Sequence, residues 1–135
     1  DIEGDFAPGT SITELNVTNG RPVGLLIGQL TSADIYGATV KGTVDLVITA
    51  ELITGGVIGS ASESTVTMVR NLANFQRTLF GARVGGIMGD SFRCTVTQVL
   101  NGMIGNISGV TMAAGIIASS SSGSTVDRAV NSMTG

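Results

Sequence analysis

Arg70 and Arg77 stand seven residues apart, with Arg83 and Arg93 following. Arginine binds carboxylates and phosphates through planar, bidentate hydrogen bonds, so this series suits an acidic protein surface or a phosphate. At the other end of the chain Asp1, Glu3 and Asp5 alternate, with Phe6 beside them. An extended arm would turn those three carboxylates to one side. They lack the spacing of a calcium loop, so the reading is a flexible or partner-docking arm and not a metal site. The Gly-rich stretch from Gly81 to Gly89 lacks the Lys-Ser/Thr ending of a phosphate loop and reads as a tight connection. Cys94 follows Arg93, but in a strand their side chains point apart, which leaves a buried structural thiol. Asn16-Val17-Thr18 and Asn106-Ile107-Ser108 match the N-glycosylation pattern, with Asn16 the better placed beside a turn.

What the chain lacks narrows the chemistry further. It has 135 residues, no His, no Trp and one Cys. Without His the Ser-His-Asp and Cys-His mechanisms are closed, as are His-ligated metal and haem sites. The acids are scattered, and none sits in an apolar context that would raise its pKa. No catalytic residue, cofactor or metal is expected. The net charge of −3 disfavours nucleic acid, whose binding rests on phosphate neutralisation. The charge is uneven: residues 1–63 carry eight acids and two bases, −6, whereas residues 64–135 carry two acids and five bases, +3. No apolar run is long enough for a membrane helix. The chain opens on Asp1 with no leader pattern, as a processed chain or an excised domain would.

The elements that must position these residues follow from hydrophobic spacing. Asn19-Gly20, between SITELNVT and RPVGLLIGQL, predicts a β-hairpin over residues 11–30. Residues 36–53 alternate apolar and polar for some 17 positions, as one long bent strand or two in sequence. Val66, Val69, Leu72, Phe75 and Leu79 recur at spacings of three or four and predict a helix over 62–80, with Arg70 and Arg77 on its polar face. Residues 92–104 fit a strand leading into a short helix. A Ser-rich link at 119–122 precedes a short terminal helix with Val126, Ala129, Val130 and Met133 on one face. No fixed-period repeat is evident. The expectation is a mainly β domain with at least one packed helix (α+β), built on an antiparallel sheet or β-sandwich. Residues 1–10 form an acidic arm, 11–118 one globular domain, and 119–135 a flexible link and helix.

Charged residues are 13% of the chain and the mean hydropathy is +0.41. A soluble monomer usually keeps about a quarter of its residues charged. The functional expectation is therefore a non-enzymatic structural subunit that assembles with copies of itself and with other structural proteins of the same assembly. A virion coat, tube or decoration protein, or an extracellular filament, would fit. The expected contact residues are Asp1, Glu3, Asp5, Phe6, Arg70, Arg77, Val126 and Val130. The alternative is a secreted β-rich module that binds a glycan or peptide.

Overall fold

Thr, Val and Ile recur throughout this chain, and their branched β-carbons pack well on a pleated surface. The computed structural model describes the backbone of residues 2–6, 14–17, 21–45 and 47–135, and side chains from Arg21 onward except Leu46 and Thr49. The described residues hold strands and no helix. The first turn contains β1 (Ile2–Phe6), β2 (Glu14–Val17), β3 (Val23–Gly24) and β4 (Ile27–Thr31). The second contains β5 (Asp34–Val44), β6 (Val47–Ala50), β7 (Ile53–Gly55) and β8 (Ile58–Ser62). The third contains β9 (Thr65–Phe75), β10 (Leu79–Gly85) and β11 (Met88–Phe92). Then follow β12 (Thr95–Asn101), β13 (Ile107–Ala114), β14 (Ile117–Ser121) and, beginning a further turn, β15 (Thr125–Asn131).

Each strand pairs in parallel with its counterpart one turn away, which makes a β-solenoid of about four turns with three faces. Face A is β1-β5-β9-β12-β15 and face C is β4-β8-β11-β14. Face B is bent, so that β10 pairs both β6 and β7, and β13 lies on its other side. Ile27 stacks on Ile58, Met88 and Ile117, so successive turns take 31, 30 and 29 residues. The inward columns fill the interior. Ile35, Val66 and Val96 form one, and Ala38, Val69 and Val99 another, all buried.

The helix expected over 62–80 is therefore overturned. Met68, Gln98 and Arg128 have φ of 56°, 56° and 51°, in the column that starts at Gly37 with φ 77°. That kink shifts the alternation by one residue. Val66 and Val69 both point inward, three apart, and imitate a helical period. Leu72 lies on the outward side and is 43% exposed. The same kink accounts for Val96 and Val99, and for Val126 and Ala129 in the expected terminal helix, which is β15. The antiparallel sheet or sandwich is likewise replaced by parallel pairing. The hairpin over 11–30 is not formed, since β2 pairs β6 and β3 pairs β7. The turn at 18–20 itself lies outside the described residues. Of the two readings of 36–53, strands in sequence are what forms, as β5, β6 and the start of β7.

The left-handed kink costs a non-glycine residue roughly 1–2 kcal/mol. Gln98→Gly is accordingly expected to stabilise the protein by about 0.5–1 kcal/mol, relief of the kink exceeding the entropic cost of glycine. Urea denaturation followed by circular dichroism would check this, and a lower midpoint than wild type would contradict it.

Candidate assembly surface

The inward side of face A carries a polar ladder. Asn71 and Asn101 are fully buried on successive rungs. Asn71 Nδ2 donates to the Gly86 carbonyl at 2.7 Å, and Asn101 Nδ2 donates to the Gly115 carbonyl at 2.6 Å. Their Oδ1 atoms accept from the N–H groups of Ala73 and Met103. A buried amide is tolerated only when it is satisfied in this way. Asn131 is the third rung. Its Oδ1 accepts from Asn101 Nδ2 at 3.0 Å, but Asn131 is itself exposed.

Exposure rises abruptly in the last turn. All seven residues of β15 are exposed, and most of β13 is. Val126 continues the buried Ile35-Val66-Val96 column, yet it is 47% exposed, with no rung among the described residues covering it. Val130, on the outward side, is 54% exposed, Val110 75% and Met112 45%. Among the described residues β13, β14 and β15 each pair along one edge only, with β10, β11 and β12. An unpaired parallel edge presents a row of N–H and C=O groups to another strand. Lysine and proline are absent from all three strands, and the charged residues they carry are Asp127 and Arg128 of β15.

The residues expected to make contacts fall in different places. Val126 and Val130 share β15, on its inward and outward sides. Glu3, Asp5 and Phe6 lie in β1, opposite Thr39, Lys41 and Gly42, with side chains outside the described set. Asp1 lies outside the described residues. Arg70 is exposed on face A, midway along β9, between Thr39 and Leu100. Arg77 occupies the bend after β9 and pairs with Asp45 at 3.0 Å, both largely exposed. The two arginines thus do not share one face, and an exposed ion pair of this kind contributes under about 1 kcal/mol. Arg83 turns to Asp90 at 3.4 Å, and Arg93 to Glu63 at 3.4 Å while lying over the Phe92 ring. Cys94 is buried in the position that Ser64 and Ser124 hold on neighbouring turns, with its Sγ donating to the Phe92 carbonyl. Asn106 is exposed. Among the described residues no three of His, Cys, Asp and Glu gather as a metal site would need.

The Asn ladder and the unpaired edges were the features that residue-by-residue reading missed. The ladder's signal was the 15-residue spacing from Gly56 to Asn71 and from Gly86 to Asn101, which repeats at 16 from Gly115 to Asn131. Comparison with family models, curated proteins and solved structures found no match to this chain.

Proposed function

We propose that the chain is a structural subunit that assembles with its own copies by stacking solenoid turns end on end. The observation that carries this reading is the last turn. Among the described residues three strand edges of that turn have no partner, and they surround inward residues that a further turn of the same outline would bury. Turns of matching outline make the best cover, because the bends must fall in the same places. A second copy supplies that outline.

The charge distribution supports in-line stacking. The turns succeed one another along the axis in chain order, so the −6 half and the +3 half lie toward opposite ends. In-line contact sets unlike ends against each other. A repeated head-to-tail contact gives a filament unless its rotation closes a ring. The low charge of the chain fits a surface partly buried in such an assembly.

Light scattering after size exclusion, with images of the same fractions, is the test. The chain should give species well above 13.6 kDa, growing with concentration and shrinking at high salt. Val126→Lys, a charge placed in the uncovered column, should return it to a monomer with unchanged circular dichroism. A monomer at every concentration in the unsubstituted chain would overturn the proposal.

A further inference from the structure

One rung of the asparagine ladder carries chemistry that its neighbours lack. An asparagine followed by glycine can lose its side-chain amide without an enzyme, because the next main-chain nitrogen attacks the side-chain carbonyl carbon. Glycine favours this most, since no side chain hinders the nitrogen and its backbone turns freely. The sequence holds two such pairs, Asn19-Gly20 and Asn101-Gly102. On the other rungs of the ladder Asn71 precedes Leu72 and Asn131 precedes Ser132. The fold does not require glycine at 102. Its φ is not left-handed. A β-carbon there would lie 3.1 Å from Leu72 Cδ2 and 3.6 Å from Ser132 Oγ. The Leu72 methyl ends a flexible side chain that is 43% exposed, so it can give way. Packing therefore leaves this glycine without a cause, and the reactivity of the pair stands beside it.

In the folded chain both reacting groups are held. The Gly102 N–H donates to the Asn71 carbonyl at 2.8 Å. Asn101 Nδ2 donates to the Gly115 carbonyl at 2.6 Å and to Asn131 Oδ1 at 3.0 Å, and Asn101 Oδ1 accepts from the Met103 N–H. We infer that Asn101-Gly102 is a latent deamidation site, closed while the rungs on both sides hold it and released when β12 and the turn covering it lift from β9. Once those bonds part, the Gly102 nitrogen attacks Asn101 Cγ. A bond forms between them and the Cγ–Nδ2 bond breaks. The side-chain nitrogen leaves as ammonia, taking the proton that Gly102 sheds. Water then opens the succinimide ring to aspartate or isoaspartate. Aspartate sets a carboxylate against the Gly115 carbonyl in a buried position. Isoaspartate adds a carbon to the main chain of β12 and disturbs its register with β9 and β15. Either product keeps the turn from closing again, so a reversible opening becomes a permanent one. The reaction is internal to one chain and does not depend on assembly.

Peptide mass spectrometry of the full chain, incubated in buffer and in concentrated urea, reads the replacement of NH2 by OH at each asparagine. In urea Asn101 and Asn19 should react at like rates, and Asn71, which precedes leucine, far more slowly. In buffer Asn101 should react at least about 100-fold more slowly than in urea, because opening strands buried polar groups. Gly102→Ala should all but stop the reaction at Asn101 in urea, where folding of the variant does not enter. The deamidated chain is then returned to buffer for hydrogen exchange, beside unreacted chain passed briefly through urea. Its protection across β12 to β15 should fall at least about 30-fold, while that of β5 and β9 persists. Equal rates at Asn101 in buffer and urea would overturn the inference. So would a rate in urea no faster than that of Asn71, or one undiminished by Gly102→Ala. Full protection regained by the deamidated chain would overturn it as well, since opening would then leave no lasting mark.

Discussion

Gly86→Ala should destabilise the protein by at least about 3 kcal/mol, seen as a large drop in the urea midpoint. A β-carbon at position 86 would lie 2.2 Å from Asn101 Nδ2 and 2.3 Å from the Gly115 carbonyl oxygen. Neither neighbour can yield cheaply. Asn101 is fully buried and held by its bond to Gly115, and the Gly115 oxygen is backbone. Relief requires the turns to separate or Asn101 to give up its partners. With total stabilities of roughly 5–15 kcal/mol, that is a large fraction. Two comparisons sharpen the test. At Gly115 the added carbon would meet the side chain of Asn131, 2.1 Å away. That asparagine is exposed and can swing aside, so Gly115→Ala should cost less. At Gly123 nothing lies within 4 Å, and only the φ of +80° penalises a side chain, by about 1–2 kcal/mol. Equal losses at positions 86 and 115 would contradict this account.

Asn101→Ala should cost about 2–4 kcal/mol, again by urea denaturation. The substitution strands the Gly115 carbonyl and the Met103 N–H and removes the donor to the exposed Asn131 Oδ1. The void left by the amide adds to the loss. Asn131→Ala removes only the acceptor at the exposed end of the ladder, and its cost should stay below about 1 kcal/mol. If the two substitutions weigh alike, the ladder does not hold the turns together as the hydrogen bonds indicate. Asn101→Asp should be at least as damaging as Asn101→Ala, because it sets a carboxylate against the Gly115 carbonyl.

The same ladder shows how much of the fold was legible. One turn departs from the Gly-Asn pairing at both positions together: Leu25 stands in the glycine column and Val40 in the asparagine column. Val40 is fully buried. Where no amide needs room, the preceding turn carries a large apolar residue. Such coupling is visible once turns are aligned, but a drift from 31 to 29 residues hides the alignment. Column identity is also loose, as Thr39, Arg70, Leu100 and Val130 show.

By itself the sequence determined that the chain is rich in strand, poor in charge, without histidine chemistry and asymmetric in charge between its halves. Alternation over 38–44 located β5 because a strand's period of two is a local property, whereas Tyr36, read onto the same face as Ala38, lies before the kink at Gly37 and is exposed. Only the tertiary structure decided between helix and strand for Val66 to Phe75. The left-handed residue at Met68 resets the alternation, and that conformation follows from the bend shared with Gly37 on the turn before and Gln98 on the turn after. It also decided that the strands pair in parallel. In a solenoid the partner of each residue lies some 30 positions away, beyond any local pattern. The open edge of β15 is of the same kind: Val126 and Val130 look like any apolar pair until the rungs beside them are counted.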